Sequence, residues 1–348
     1  MQIKIGKRKI GDNHPVFIIA EISGNHNQSY FRAKKIIDSA ISSGVDAIKM
    51  QTYTPDTITM DSKNKWFKIK GDNQWSGKYL YDLYKKAQTP WEWQPKLKKY
   101  VESKSKIFFS TPFDKTAVNF LKKINVPVYK VASFEVVDIP LLEEIGKTKK
   151  PVIISRGMAT EKELREAIKT LKKHGTKEIA ILHCISNYPA EPEDMNLSTI
   201  QDLKNKFKVV SGLSDHSLGI LASCTAVSLG ANIIEKHITL SRKDKGPDSS
   251  FSLEESEFKD LVKSIREVEK SIGKPQTGPL KSESQGIVAR KSLFVVKDIK
   301  KGEKFTKENL RSIRPGYGIA PKYLEKITGK ISKIKIQKGT PMKWDYVK

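Results

Sequence analysis

The sequence is short of most features that mark a secreted, membrane-bound or metal-cluster protein. Only two of its 348 residues are cysteines, Cys184 and Cys224. They form no Cys-x-x-Cys pair, no zinc-ligand spacing and no disulfide framework, so a reducing compartment is expected. No apolar run reaches eighteen residues, which argues against a bilayer-crossing helix. No secretory leader is evident either, and the cytoplasm is the expected location. Acidic residues are few beside basic ones, 39 against 64, for a formal charge of +25. Such an excess can serve a nucleic-acid partner. Here the lysines are scattered singly on helix faces, without a basic tail or a stacking motif. A solvated basic surface that attracts an anionic substrate fits better, with neither nucleic acid nor membrane as partner. Also missing is the Gly-x-Gly-x-x-Gly turn that a dinucleotide-binding sheet carries after its first strand.

What is present is alternation. Eight β-rich apolar runs stand at Val16–Ile22, Asp46–Gln51, Lys106–Pro112, Val128–Ser133, Pro151–Arg156, Ile179–Cys184, Lys208–His216 and Asn232–Thr239. Between and after them lie amphipathic stretches, from Tyr30–Ser43 to Leu253–Ile272, with helical periodicity. Strands apolar on both faces, separated by helices, predict a parallel sheet covered on both sides. Eight such units in about 270 residues match an α/β fold of the (β/α)8 TIM-barrel type. A doubly wound sheet is the second fold allowed, weakened by the missing glycine fingerprint. Met1–Gly11 reads as a small hairpin. The segment Thr52–Pro90 is too long for an ordinary connection. It gathers Trp66, Phe67, Trp75, Tyr79, Tyr81 and Tyr84, which either cover the insertion's own small core or form a ligand surface. A polar Gly- and Pro-bearing linker, 273–285, separates a barrel domain of residues 1–280 from a compact piece, 286–348. That piece has short β-rich runs (Ser292–Val296, Ile331–Ile336) and a short helix near Pro321–Ile327. About sixty residues make a marginal domain, so it is expected to dock on the barrel or on a second subunit.

In a barrel the chemistry collects at the carboxyl ends of the strands. Those ends carry Glu21, Lys49 with Gln51, Ser110 with Thr111, Lys130 with Ser133, and Ser155 with Arg156. They continue with Ser186 and Tyr188, Ser214 and His216, then Glu235 and His237. Any one of these can be a capping or loop residue, but together they describe a ligand. Two lysines with several hydroxyls suit a phosphate or carboxylate. Two histidines at adjacent strand ends, with Glu21 or Glu235 nearby, suit a divalent metal that polarises a carbonyl. An anion site beside a Lewis acid suggests joining a phosphorylated small acid to a carbonyl compound. A Schiff-base aldolase using Lys49, Lys130 or Lys236 is the rival.

With these residues in hand, the chain resembles the sialic acid synthase family almost throughout. The resemblance rests on AEISGNHN (Ala20–Asn27), IKMQTY (Ile48–Tyr53), STPFD (Ser110–Asp114), YKVAS (Tyr129–Ser133), GLSDHSLG (Gly212–Gly219) and EKHITL (Glu235–Leu240). ARKSLFV (Ala289–Val295) and RPGYGI (Arg314–Ile319) resemble the family's antifreeze-like (SAF) domain. YLYDLYKKAQTPWEW (Tyr79–Trp93) and DSSFSLE (Asp248–Glu254) look most like the branch that makes pseudaminic acid from a 6-deoxy sugar.

The resemblance implies condensation of phosphoenolpyruvate with an N-acylated amino sugar. It implies His216 and His237 as ligands of a metal, Mn²⁺ foremost, with Mg²⁺ or Co²⁺ as alternatives. Lys49, Gln51, Thr111, Lys130, Ser133, Ser155, Ser186 and Ser214 would hold phosphoenolpyruvate. Glu21 and Glu235 would serve catalysis, Glu21 at the aldehyde or the attacking water. Tyr188 and Asp248 would touch the sugar. Arg314 would reach the active site of the other subunit in a homodimer. Two departures stand out: Arg156 replaces a usual threonine, and Ser186 replaces the asparagine of sialate-making relatives.

Overall fold

The computed structural model describes residues 1–71 and 74–348. They divide into two compact units, Met1–Gly273 and Lys274–Lys348. The boundary therefore groups most of the expected linker with the C-terminal piece, where Lys281–Ala289 forms 3-10 turns.

The first unit opens with a hairpin, β1 (Gln2–Ile5) and β2 (Arg8–Gly11), whose Ile3, Ile5 and Ile10 join the main core. The backbone N–H of Lys4 donates to Glu178 Oε1 (2.8 Å), just ahead of a barrel strand, so the hairpin packs at the amino end, away from the functional rim. Eight parallel strands follow: β3 (Phe17–Glu21), β4 (Ala47–Thr52), β5 (Ile107–Pro112), β6 (Tyr129–Val131), β7 (Val152–Ser155), β8 (Ile179–Cys184), β9 (Val210–Asp215) and β10 (Ile233–His237). They pair in chain order, and β10 returns to β3 to close the barrel. Seven of the eight expected runs contain their strand, trimmed by at most two residues at either end, and Asp46–Gln51 is shifted by one residue to Ala47–Thr52.

The strands are buried on both faces because helices cover the outside and side chains fill the inside. Ile18, Ile48, Phe108, Val131, Ile154, Ile181, Leu213 and Ile234 are all fully buried. Each such side chain contributes roughly 1.5–3 kcal/mol by leaving water. Local chemistry starts the helices. The Ser29 hydroxyl accepts from Arg32 N (3.2 Å), Asp114 caps Lys115–Lys123, and Thr160 and Glu163 form a reciprocal capping box. Among the described residues, no helix is long and apolar enough to cross a membrane.

The insertion between β4 and β5 holds helices at Pro55–Ile58 and Leu80–Ala87, the latter with no buried residue. The C-terminal unit has its own core of Leu293, Val295, Ile299, Phe305, Leu310, Ile336 and Met342. It contains the antiparallel pair β11 (Ser292–Val295) and β12 (Leu310–Ile313). The expected run Ile331–Ile336 is not a strand: it makes isolated bridges to Lys304 and Ile299, because a tight small domain spends its backbone groups on turns.

Candidate active site

Parallel strands end together, and residues two apart share a face. Lys49 and Gln51 from β4, Thr111 from β5 and Lys130 from β6 all line one cavity of about 580 Å³. So do Ser155, Ser214, Glu235 and His237 from β7, β9 and β10, and Ser133, Ser186, Tyr188, His216 and Asp248 from the loops beyond. Glu21 is fully buried, is not on the cavity wall, and touches the lining through Lys49 and Gln51. Arg314 follows β12 in the C-terminal unit. Ser110 turns to the other face of β5 and bonds the Thr52 hydroxyl (2.7 Å). Arg156 is not on the cavity wall and directs a guanidinium N–H to the Ala159 carbonyl (3.4 Å).

The floor is a charge network. Lys49 Nζ lies 2.5 Å from Glu21 Oε2 and 3.4 Å from Glu235 Oε1, and donates to Thr111 Oγ1 (3.3 Å). Lys130 Nζ donates to Ser155 Oγ (2.6 Å) and stands 4.0 Å from Glu235 Oε1. The Ser214 hydroxyl donates to the same Glu235 oxygen (3.2 Å). Burial pulls the Lys49 ammonium down, but the two carboxylates outweigh it and its pKa stands raised. At Lys130 burial wins and the pKa is lowered. Burial pushes Glu235 up, yet Lys130, Lys49 and His216 together hold it below the usual carboxylate range. Glu21 goes the other way, with burial outweighing Lys49. Its Oε2 meets Lys49 as an ion contact rather than a directed hydrogen bond. Glu235 Oε2 is buried with no donor among the described residues. An unsatisfied buried acceptor costs free energy that a ligand's donor would offset.

The two imidazoles complete the rim, with ring centroids 5.4 Å apart. His216 Nδ1–H donates to the Ile185 carbonyl (2.8 Å), which leaves Nε2 as its ligating atom; burial pulls the ring's pKa down, but Cys184 and that carbonyl outweigh it, so a bound metal would displace the Nε2 proton. His237 Nδ1 is buried without a partner, and burial next to His216 and the lysines holds this ring neutral. Both observations fit a divalent cation. Among the described residues no set of three or more His, Cys, Asp or Glu forms a metal cluster. Two imidazoles would therefore leave open positions for water or substrate oxygens, as a catalytic site requires.

The outer half is aromatic and apolar. Tyr188 stacks on His216 (4.3 Å between centroids) and meets Trp75 (5.4 Å). The Trp75 indole N–H donates to the Pro247 carbonyl (2.9 Å), joining the insertion to the loop after β10. Ile58, Ile69, Leu80, Leu83 and Tyr84 continue this wall. The insertion's aromatics thus divide: Trp75 and Tyr84 face the cavity, Trp66 is exposed, and Trp91 and Trp93 pack against Phe120 and His26.

Sequence reasoning missed Ser23, Tyr53, Glu135, Cys184 and Phe113, which also line the cavity. Glu135 is the most telling. Burial lifts its carboxyl to about 7, and its Oε2 has no partner among the described residues. It lies in a 3-10 turn, Glu135–Val137, past the end of β6, where no strand alternation signals direction.

Both halves of the chain have known relatives. The SAF domain matches residues 290–348, and the NeuB family matches residues 36–277. The chain belongs to the NeuB family. These are the sialic acid synthases, and it is an enzyme that forms a carbon–carbon bond with phosphoenolpyruvate. Pseudaminic acid synthase of Campylobacter jejuni (serotype O:2) is 43% identical over 94% of this chain and 95% of its own length. The Helicobacter pylori pseudaminic acid synthase is 40% identical over 95% and 97%. The N-acetylneuraminic acid (sialic acid) synthetase of Leptospira borgpetersenii, crystallised with citrate, superposes with a TM-score of 0.73 at 37% identity, covering 82% of this chain and 95% of its own.

Proposed function

We propose that this family member condenses phosphoenolpyruvate with 2,4-diacetamido-2,4,6-trideoxy-L-altrose, giving pseudaminic acid and phosphate. One observation carries the reading: a single cavity joins an ammonium-and-hydroxyl floor, two metal-competent imidazoles and an apolar outer wall. The relatives of 40–43% identity support the choice of sugar. The wall of Ile58, Ile69, Leu80, Leu83 and Trp75 suits the methyl of a 6-deoxy sugar.

In this reading Lys49 and Lys130 bind the phosphate and carboxylate of phosphoenolpyruvate, with Thr111, Ser133, Ser155, Ser186 and Ser214 turning their hydroxyls to its oxygens. A divalent metal on His216 and His237, Mn²⁺ foremost, would supply Lewis-acid polarisation of the sugar's open-chain aldehyde. Tyr188 and Asp248 orient the sugar so that its carbonyl carbon faces the methylene carbon of phosphoenolpyruvate. The new carbon–carbon bond forms there, water adds to the former enol carbon, and phosphate leaves with cleavage of the carbon–oxygen bond. Glu235 stays anionic beside the positive charge that develops on that carbon. Glu21 acts by positioning Lys49 and Gln51. Glu135, protonated up to about neutral pH, holds a proton at the sugar end.

The working enzyme is a homodimer in which Arg314 of one subunit serves the site of the other. Exposed Phe134, Met158, Leu218 and Leu221 follow the carboxyl ends of barrel strands and offer apolar surface for such a partner. Mixing inactive His237→Ala and Arg314→Ala chains then restores part of the activity.

The deciding assay is phosphate release from phosphoenolpyruvate and Mn²⁺ with a panel of amino sugars. The diacetamido altrose should give the highest kcat/KM. Preference for N-acetylmannosamine or the legionaminate precursor would replace the pseudaminate reading with a neuraminate or legionaminate one. The aldolase rival loses two of its lysines to ion pairs, Lys49 with Glu21 and Lys236 with Asp215 (2.8 Å). Borohydride should trap nothing on Lys130.

A further inference from the structure

Ser23 lies two residues beyond β3 at φ 48°, a left-handed conformation that glycine adopts freely and serine holds only under strain. It is almost fully buried and lines the catalytic cavity. Three bonds converge on it. Its backbone N–H donates to Glu21 Oε1 (3.0 Å). Its hydroxyl accepts from Gln51 Nε2 (3.0 Å) and donates to Asp248 Oδ2. The other hydrogen of Gln51 Nε2 goes to Glu21 Oε1 (3.3 Å). Both amide hydrogens are thereby used inside the protein, so Gln51 has no donor left for phosphoenolpyruvate, contrary to what the resemblance implied, and its carbonyl oxygen is what the side chain can offer a ligand. Asp248, its Oδ2 held by Ser23, is a second acceptor on the same wall.

We propose that Ser23 is a positioning residue for the amino sugar. Its hydroxyl sets Gln51 and Asp248 as paired acceptors, so the wall selects a sugar that presents donors to it, amide N–H or hydroxyl. A glycine would keep the backbone bond to Glu21 with less strain. What serine adds is the hydroxyl, and the strained backbone aims it between Gln51 and Asp248. This inference rests on the proposed condensation.

Ser23→Gly and Ser23→Ala both remove the hydroxyl, but only the first also relieves the backbone. In both, the KM for the sugar should rise roughly tenfold or more, as expected when a buried carboxylate loses its hydrogen bond. The KM for phosphoenolpyruvate should stay put. Ser23→Gly should melt above Ser23→Ala, which confirms the strain independently of activity. Wild-type turnover with an unchanged sugar KM in Ser23→Gly would overturn the inference alone. So would a parallel rise in both KM values, the mark of general loosening. If the wild type turned over no acetamido sugar, the condensation reading would fall, and this inference with it.

Discussion

Lys49 reaches from β4 to Glu21 on the neighbouring β3, 2.5 Å away, with both side chains almost wholly out of water. The register makes this contact unavoidable, because Glu21 and Lys49 are Cα partners across parallel strands and point to the same side. A charge so placed is more costly to lose than to keep. Lys49→Met should destabilise the barrel by roughly 3–5 kcal/mol, since two carboxylates lose their cation. Adding Glu21→Gln should recover part of that loss in urea melts, the sign of coupling between neighbours. Phosphoenolpyruvate binding should be lost in both variants.

His237→Ala should abolish Mn²⁺ binding and lower turnover on the order of 10³-fold. Its melting temperature should stay near that of the wild type, since His237 Nδ1 makes no bond within the fold. Calorimetric titration of Mn²⁺, with a chelator control on the wild type, checks both statements.

Glu135 makes stability depend on pH with a definite sign. Its carboxyl is raised from 4.5 to about 7 by burial, only partly offset by Lys130. The folded state then binds the proton more tightly than the unfolded chain. Stability is full below pH 4.5, declines as pH rises towards 7 and levels off beyond it, a loss of roughly 3 kcal/mol. Glu135→Gln should flatten this slope in thermal melts from pH 5 to pH 8, and it should lower kcat by removing the proton at the sugar end.

Trp75 separates the catalytic cavity from a neighbouring groove that it also lines, along with Pro247 and Leu83. Trp75→Ala should join the two spaces. The preference for a 6-deoxy sugar over N-acetylmannosamine should then fall by roughly tenfold, read as a ratio of kcat/KM values.

The barrel was legible because its signal is repetitive: runs apolar on both faces recur eight times, and errors at single boundaries do not disturb the count. Site residues on strands were legible for the same reason. Lys49 and Gln51, or Glu235 and His237, are two apart, so they share a face as soon as the strand is placed. Reading failed where the chain leaves the strands. Glu135 and Ser23 lie in short 3-10 turns whose side-chain directions follow from local dihedrals, and the positive φ of Ser23 has no sequence signature of its own. In the small domain, bridges replaced the expected Ile331–Ile336 strand because few residues there pair over any length.

By itself the order of residues determined that eight strands would carry polar groups to one rim, since a period of two and a parallel sheet leave no other outcome. It also determined which chemistry collects there: amines, hydroxyls, carboxylates and two imidazoles. Only the folded chain decided how these groups share charge. Glu21 is wholly buried off the cavity wall while Glu235 stays within reach of both lysines, and Arg156 turns away. Those outcomes depend on barrel closure and on burial, which bring together residues more than two hundred positions apart and set the dielectric in which they meet.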